Sequence, residues 1–384
     1  MRILLARLRA FLVVCVLLAC GCGTPLPSTP EGDSSRPAIA TELQRALDRA
    51  ITSGGSIGGS ATIRSGNNVD EYVSGRGALE PEAPFPKRAR FRIGSITKIF
   101  VAAVVLQLVD EGKVQLDAPL RRYLPQLPGN STVDPSRITV REALHHQSGF
   151  PEYLNEPELL QAMQPGPPAF SPDQLIQLAL RHPAQFSPGT QTAYVNTNYI
   201  VAGMIVEAVT RRSFSNEVHD RIAAPLGLRD TTFPPPQESD IAGVHGRGYE
   251  LVDGRSKVID DVEPSATWTA GAMISTGADL TTFIAALARG RVIPLRLMLE
   301  QNSMTSSHEL PVPGTRYGLG LMEFHLRCGI TVRGHVGDIP GFHSVAAATL
   351  NGQHSASIVL TQEPTGAGTA TWPIQMLEAA LCAG

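Results

Sequence analysis

In the stretch 90–111, RFRIGSITKIFVAAVVLQLVDE, the sequence changes from a short strand-like segment to a long apolar run. The interpretation of the fold starts from this change. Residues 90–93 lead into Gly94 and Ser95, and the run from Ile96 to Glu111 is apolar over almost its whole length. Such a run, closed by a glycine, predicts a long helix that starts at Ser95. A helix that is apolar on every side belongs in the interior of a domain.

Ser95 and Lys98 form the first candidate pair for catalysis. They are three positions apart, which is nearly one helical turn, so their side chains share a face. A serine hydroxyl is a weak nucleophile until a base takes its proton. A lysine on an apolar helix loses its hydration, and its lowered pKa makes it a usable base. The chain has only four lysines, at positions 87, 98, 113 and 257. The alternative is a helix-capping serine followed by an exposed lysine.

Two further segments carry side chains that could serve the same chemistry. Residues 186–196 contain a Pro-Gly turn followed by Tyr194 and Asn196, a phenol that could shuttle a proton and an amide that could bind a substrate carbonyl. Residues 334–342 place His335 between glycines, where a strand permits close approach of a substrate and can supply an N–H to an oxyanion hole. The alternatives are a buried tyrosine with an ordinary loop asparagine, and a surface histidine in a Gly/Pro turn.

The predicted elements describe an α+β layout. Strands are predicted near both ends of the chain and helices through the middle, so one antiparallel sheet would be built from the two ends and packed beside a mostly helical subdomain. The predicted strands are 60–63, 70–77, 317–324, 330–334, 343–350 and 356–361, and the predicted helices are 41–51, 96–111, 138–145, 172–181, 199–211, 214–223, 280–289 and 370–382. Residues 234–265 are predicted to be irregular.

The first residues have the pattern of a secretory signal. Arginines precede the apolar run Ala10–Ala19, which is too short to span a bilayer and ends in a box that resembles the bacterial lipoprotein cleavage site. We expect residues 1–19 to be a signal peptide, Cys20 to be lipidated and residues 20–40 to form a flexible tether. The chain would then be exported and anchored by lipid at the outer face of the bacterial cytoplasmic membrane. An ordinary signal peptide with an incidental cysteine is the alternative.

The composition bounds the class of protein. The 384 residues are 42% hydrophobic and 17% charged, which is typical of a globular domain, and we place that domain at residues 41–384. The formal net charge of -3 argues against a nucleic-acid partner. Cys328 and Cys382 would either form a disulfide in an exported chain or remain two buried thiols. His145 and His146 are interpreted as loop packing, because no cysteine or third histidine lies at ligand spacing. Neither a metal nor a cofactor is expected.

The chain resembles the serine β-lactamase and penicillin-binding protein superfamily in three motifs and in their order. These are Ser95-x-x-Lys98, Tyr194-x-Asn196 and His335-x-Gly337. The Tyr-x-Asn and His-x-Gly forms look most like the class C β-lactamase-related branch, and within it like the exported D-alanyl-D-alanine carboxypeptidases of actinomycetes. The resemblance covers about residues 41–384, and further matches are the segments 116–119, 123–125, 138–149, 225–228, 270–276 and 317–321.

The resemblance implies a role for each matching residue. Ser95 would be the acylated nucleophile and Lys98 its activating partner. Tyr194 would be the proton shuttle and Asn196 would bind the acyl amide. His335 would assist protonation of the leaving group. The N–H groups of Ser95 and Asp338 would form an oxyanion hole next to Gly337, and Cys328 and Cys382 would correspond to the disulfide of those carboxypeptidases.

Two departures from the carboxypeptidase pattern concern the substrate. Those enzymes bind a terminal carboxylate with hydroxyls beside the His-x-Gly strand, where this chain has Val336 and Asp338. Met322 and Glu323 stand where an arginine often follows the Tyr-Gly-x-Gly-Leu stretch. A carboxylate near Asp338 would be repelled by its charge, and the cations that could compensate are Arg316, Arg327 and Arg333.

The sequence therefore predicts an acyl-serine hydrolase of the penicillin-recognising type. The first predicted substrate is the D-Ala-D-Ala end of cell-wall peptide, with β-lactams as covalent ligands. An esterase or amidase on the same machinery is the first alternative, and Val336 and Asp338 favour it. A penicillin-binding sensor that acylates without turnover is the second, and a lipoprotein that only scaffolds cell-wall partners is the third.

Overall fold

A large antiparallel sheet organises the residues that this computed structural model describes, which are 36–161, 169–307, 309–365 and 369–382. The strands are β1 (Gly58–Ser65), β2 (Asn68–Leu79), β3 (Glu82–Pro84), β4 (Arg90–Arg92), β5 (Tyr249–Val252), β6 (Arg255–Val258), β7 (Ile274–Thr276), β8 (Thr305–Ser306), β9 (Arg316–Tyr317), β10 (Met322–His325), β11 (Thr331–Ile339), β12 (Phe342–Thr349) and β13 (His354–Leu360). The order across the large sheet is β3-β2-β1-β13-β12-β11-β10-β9-β8, while β4 pairs with β7 and β5 with β6.

The helices fill the middle of the chain and cover the sheet. They are α1 (Arg36–Thr52), α2 (Thr97–Asp110), α3 (Val140–Leu144), α4 (Pro157–Gln161), α5 (Pro172–Ala179), α6 (Thr197–Thr210), α7 (Phe214–Val218), α8 (Ala224–Leu226), α9 (Pro264–Gly271), α10 (Gly277–Ala288), α11 (Leu295–Gln301) and α12 (Trp372–Leu381). Among these described helices, none combines the length and the apolar character that crossing a bilayer requires.

The two ends of the chain meet inside the sheet, as predicted. Strand β1 lies between β2 and β13, and Ala61 pairs with Ile358 in antiparallel register. Helices α1 and α12 pack on one face, where Leu47 and Leu377 are fully buried with Ala61. Helix α10 packs against β1, β12 and β13 within the larger core that also contains α2. The α+β class with a sheet from both chain ends is therefore confirmed.

Helix α2 is the buried centre of the helical part. Every residue from Thr97 to Leu106 is buried, because the helix has no polar face that could be turned to water. It packs against α6 and α9. The prediction of a long apolar helix is confirmed, although the first turn, Gly94–Ile96, is a 3₁₀ turn that places Ser95 just before the helix begins at Thr97.

Several predicted elements differ from the structure. The segment predicted to be irregular contains the hairpin β5–β6 and the first two residues of helix α9. The strand predicted at 317–324 is broken into β9 and β10 by residues 318–321. Helix α1 begins at Arg36, inside the predicted tether, and the predicted signal peptide, Cys20 and the rest of the tether lie outside the described residues.

A disulfide ties the end of α12 to the sheet. The sulfur atoms of Cys328 and Cys382 are 2.04 Å apart and the Cα atoms 5.7 Å apart. Cys328 lies in the turn between β10 and β11, two strands that reach the candidate site. The bridge confirms the pairing that the resemblance implied and excludes two free thiols.

Candidate active site

Ser95 lies on a turn that is held from three sides. Strand β4 pairs with β7 immediately before it, and the Ile93 N–H donates to the Met273 carbonyl at 2.9 Å. Gly94 has φ of 50°, a conformation that favours glycine, and a Cβ there would lie 2.9 Å from the Asp338 nitrogen. Ser95 is partly exposed although its neighbours are buried. Its hydroxyl is therefore accessible from a rigid, mostly buried frame.

Lys98 brings three parts of the chain together. Its Nζ donates to Ser95 Oγ at 2.9 Å, to Asn196 Oδ1 at 2.7 Å and to the Ala270 carbonyl at 2.8 Å. The side chain is fully buried. Burial lowers the pKa of Lys98 to about 7, against the opposing effect of the Glu152 carboxylate. The amine therefore meets the two requirements of a general base, which are contact with the nucleophile and a pKa near neutrality.

The Ala270 carbonyl lies close to an irregularity in α9. Trp268 has φ of 35° and ψ of -125° inside this helix, and positive φ is costly for a non-glycine residue. The irregularity lies two residues before Ala270, whose carbonyl accepts the Lys98 bond. Backbone strain of this kind is common where the surrounding structure fixes a functional geometry.

Asn196 is held by a carboxylate that sequence reasoning missed. Glu152 Oε2 accepts from the Asn196 backbone N–H at 2.8 Å and from Asn196 Nδ2 at 2.9 Å. The Asn196 Oδ1 atom therefore faces Lys98. Glu152 lies in the loop after Gly149, and no spacing in the sequence connects it with Asn196.

Tyr194 lies above the lysine. Lys98 Nζ is 4.9 Å from the centroid of the Tyr194 ring, and the His146 ring is 4.4 Å away on the other side. The Tyr194 hydroxyl is buried and has no well-directed hydrogen bond among the described residues. Burial raises the pKa of Tyr194 well above its usual value, while the nearby Ser95 hydroxyl acts in the opposite direction. The phenol is thus protonated, adjacent to Ser95 and free to donate.

His335 is close to Tyr194 but engaged with other groups. Its ring is 5.9 Å from the Tyr194 ring, and the side chain is fully buried. Nδ1 contacts the Val336 carbonyl, so it carries the proton. Nε2 lies 3.2 Å from the oxygen of the Tyr317 hydroxyl, which itself donates to the Tyr199 hydroxyl. Burial, with a smaller contribution from Lys98, lowers the pKa of His335 to about 3. The ring is neutral, and its predicted help in protonating the leaving group stays a prediction.

His146 belongs to the same aromatic cluster and was not expected to lie in the site. Its Nδ1 accepts from the Val195 backbone N–H at 3.1 Å, beside Tyr194, and its ring is 4.7 Å from the Tyr317 ring. Its neighbour His145 contacts Ser303, which fits the interpretation as loop packing. His146 instead supports the tyrosine that the sequence picked out.

Strand β11 passes directly beside the Ser95 turn. A Cβ on Gly337 would lie 2.0 Å from the Ile93 carbonyl oxygen, so only glycine fits this contact. The same approach brings the backbone of Asp338 against Gly94. The first N–H groups of a helix lack partners within it, and Ser95 lies in the turn that leads into α2. The Asp338 nitrogen is close to the same turn, 2.9 Å from where a Cβ on Gly94 would lie. This arrangement agrees with the predicted oxyanion hole, which stays a prediction.

The Asp338 side chain points towards solvent and forms an ion pair. Its Oδ1 is 2.9 Å from His343 Nδ1, and His343 Nε2 is 3.7 Å from Glu250 Oε1. The two carboxylates outweigh the effect of burial and raise the pKa of His343 to about 9. The histidine is therefore charged at neutral pH, and the group of two carboxylates and one imidazolium keeps a net negative charge.

The three arginines that could have compensated Asp338 are engaged with buried carboxylates. Arg316 and Arg333 contact Glu323 at 3.2 Å and 2.8 Å, and Arg327 contacts Glu378 at 2.6 Å. Glu323 and Glu378 are only 4% and 7% exposed. Removing Arg327 would leave the buried charge of Glu378 without its partner, and removing Arg316 or Arg333 would leave Glu323 with one arginine instead of two. These arginines therefore serve the sheet and α12.

The fold and the site together define an acyl-serine hydrolase. A serine at the head of a buried helix, a buried amine in contact with it and a phenol over that amine are the parts such an enzyme needs. The comparisons with known proteins agree. The Beta-lactamase family matches residues 43–381, and the chain belongs to that family.

Two solved structures are similar over nearly their whole length. The D-stereospecific amidohydrolase from Streptomyces sp. has a TM-score of 0.80 and 34% identity, covering 90% of this chain and 99% of that one. The D-amino acid amidase from Ochrobactrum anthropi SV3 has a TM-score of 0.78 and 26% identity, covering 90% of this chain and 98% of that one.

Curated relatives match over shorter stretches. A protein named Putative D-alanyl-D-alanine carboxypeptidase from Escherichia coli (strain K12) is 30% identical over 151 residues, 38% of this chain and 34% of that protein. Esterase EstB from Burkholderia gladioli is 29% identical over 203 residues, 51% of this chain and 52% of that protein. The matched stretches thus span between a third and just over half the length of these relatives.

Proposed function

We propose that the chain hydrolyses amide bonds through an acyl-enzyme on Ser95, with Lys98 as the base. The observation that carries this proposal is the buried Lys98 amine, 2.9 Å from Ser95 Oγ and with its pKa lowered to about 7. Near pH 7 about half of this amine is uncharged. It can take the hydroxyl proton as Ser95 Oγ attacks the substrate carbonyl carbon.

The rest of the cycle follows from the neighbouring groups. Negative charge that develops on the carbonyl oxygen would be stabilised by the N–H groups of Ser95 and Asp338. When the C–N bond breaks, the leaving amine takes the Tyr194 proton, and Tyr194 regains one from Lys98. A water molecule then attacks the acyl carbon, and its proton returns to Ser95 Oγ along the same groups.

The charges around the cleft favour substrates without a terminal carboxylate. Asp338, His343 and Glu250 keep a net negative charge, and each of the three arginines considered is bound to a buried glutamate. The two structures matched over almost their full length are named D-stereospecific amidohydrolase and D-amino acid amidase. We therefore infer that amides of D-amino acids, with an uncharged amide and a positively charged amino group, are the preferred substrates.

Carboxypeptidase action on a D-Ala-D-Ala end is the second candidate. A relative with that name, although matched over only 34% of its length, favours it, as does the Cys328–Cys382 bridge, which resembles the one in exported carboxypeptidases. Export and lipid anchoring at Cys20 would bring the enzyme to cell-wall peptide, and both remain part of this proposal. Ester cleavage is favoured by the match to Esterase EstB.

A panel of substrates tests the proposal. Wild type and Ser95→Ala are incubated with D- and L-phenylalanine amide, a D-Ala-D-Ala peptide, a short-chain nitrophenyl ester and fluorescent penicillin. We expect hydrolysis of the D-amide to exceed that of the L-amide and of the peptide, and to disappear in Ser95→Ala. We also expect kcat/KM to rise with pH through about 7, where Lys98 loses its proton. Undiminished amide hydrolysis in Ser95→Ala would rule the mechanism out, and penicillin labelling without any turnover would identify a sensor.

A further inference from the structure

Glu152 makes contacts that reach the reacting groups through Asn196. Its Oε2 atom accepts two hydrogen bonds from Asn196, and its Oε1 atom accepts one from the Leu154 N–H at 3.1 Å. A carboxylate can only accept hydrogen bonds. The Asn196 amide is therefore fixed in one orientation, with Nδ2 towards Glu152 and Oδ1 towards Lys98.

The loop that carries Glu152 is itself held in place. Thr197 Oγ1 donates to the Pro151 carbonyl at 2.6 Å, and Tyr153 donates from its hydroxyl to the Ala266 carbonyl at 3.0 Å. The residues on both sides of Glu152 are thus tied to α6 and α9, two of the helices that pack against α2. The carboxylate is held relative to Lys98 by the backbone as well as by its own bonds.

Glu152 is also the acidic group whose charge acts on Lys98. The other titratable groups around this amine are uncharged, since burial lowers the pKa of both histidines and raises that of both tyrosines; they are His146, His335, Tyr194 and Tyr199. Removal of Glu152 would therefore leave burial to lower the pKa of Lys98 without opposition.

We propose that Glu152 is a positioning residue for the acyl-serine reaction, which keeps the Asn196 amide oxygen on Lys98 and supplies the negative charge that balances this amine. The inference rests on the proposed function, because positioning matters only if Ser95 and Lys98 react. A purely structural role is the competing explanation, in which Glu152 only binds the free N–H at the start of α6.

Titration of the Lys98 amine separates these two roles. The full chain is produced with ¹³C-labelled lysine, which gives only four side-chain signals, and Lys98→Met assigns the relevant one. We expect its midpoint near pH 7 in wild type and about one pH unit lower in Glu152→Gln. The acid limb of the kcat/KM profile should move with it, and kcat should fall by about tenfold to a hundredfold because the amide is no longer oriented.

Glu156→Gln is the matched control. Glu156 is a buried carboxylate of the same loop region, but it binds Arg181 and His182 instead of the site. Its replacement should reduce the melting temperature without moving the Lys98 midpoint. Glu152→Asp keeps the charge on a shorter side chain, so kcat should fall while the midpoint stays near the wild-type value.

The outcomes distinguish this inference from the proposed function. An unchanged Lys98 midpoint in Glu152→Gln, or an equal change in Glu156→Gln, would overturn the positioning role even when Ser95→Ala is inactive. Full hydrolysis by Ser95→Ala would overturn the proposed function, while the Lys98 titration would still report whether Glu152 acts on the amine.

Discussion

Replacing Gly337 by alanine should damage the oxyanion hole more than the fold. The new Cβ would lie 2.0 Å from the Ile93 carbonyl oxygen and 2.6 Å from Ser344 Oγ. The serine hydroxyl can rotate away, but the carbonyl is fixed by the β4–β7 pairing just before Ser95. Bringing that contact to an acceptable distance requires β11 to move by about 1 Å, because side chains in a packed interior tolerate little overlap.

A movement of that size would separate the N–H groups of Ser95 and Asp338, which we propose to form the oxyanion hole. Loss of one oxyanion donor lowers kcat by about a hundredfold to a thousandfold, so we expect acylation to slow by that factor. Overpacking should also cost about 1–3 kcal/mol of unfolding free energy. The acylation rate is measured by stopped flow with a nitrophenyl ester and with fluorescent penicillin, and stability by thermal melting.

Gly59→Ala is the control for a clash within the same sheet. Its Cβ would lie 2.4 Å from the Val359 carbonyl oxygen, on β1 and away from Ser95. This variant should lose stability to a similar extent and retain an acylation rate within about threefold of wild type, since distant sites act independently. The proposed effect of a β11 shift on acylation would be refuted by a folded Gly337→Ala variant that acylates at the wild-type rate. It would also be refuted if Gly59→Ala acylated as slowly as Gly337→Ala.

Three further perturbations follow from the ion pairs and the bridge. The folded-state pKa of His343, about 9, lies above its unfolded value, so its contribution to stability is complete below about pH 6.5 and is lost as pH rises through 9. Because Asp338 is mostly exposed and screened by water, we expect this loss to be about 2 kcal/mol, seen in denaturant melts of wild type and absent in His343→Gln. Replacing Cys328 and Cys382 by serine should cost about 2–4 kcal/mol, with activity at 25 °C retained. Asp338→Ser should raise kcat/KM for a D-Ala-D-Ala peptide relative to D-phenylalanine amide by about tenfold, since it removes a repulsive charge.

Each of these predictions has an outcome that contradicts it. A wild-type stability that does not fall between pH 7 and 10 would show that the His343 ion pairs are weak. Equal melting temperatures with and without the bridge would remove its role in stability. An unchanged ratio of the two substrates in Asp338→Ser would mean that this side chain does not select against carboxylates.

The sequence predicted those site residues that lie close together in one segment or belong to one motif. Ser95 and Lys98 could be paired because a helical turn fixes their distance, and the apolar surroundings of the lysine are visible in the sequence itself. The sheet from both chain ends was also predictable, since alternating strands flank a helical middle.

Other residues could not be found because their role depends on contacts between distant segments. Glu152 becomes significant only when the loop after Gly149 meets the start of α6. In the sequence His343 looks like an ordinary strand residue, because its contact with Glu250 depends on the position of β5 in the fold. The hairpin β5–β6 was missed because each strand has only four residues and most of them are at least partly exposed. The segment is therefore too short to show the apolar alternation that marks a strand in the core.

The place of β13 (His354–Leu360) has a consequence for how the protein is made. This strand follows every other strand of the sheet along the chain, and it fills the gap between β1 and β12. Until it emerges from the ribosome, those two strands remain open edges that can pair with other chains. Completion of the sheet must also close a loop of most of the polypeptide, which slows folding. A nascent chain that stops before residue 354 should therefore need protection from self-association until residues 354–360 have been added.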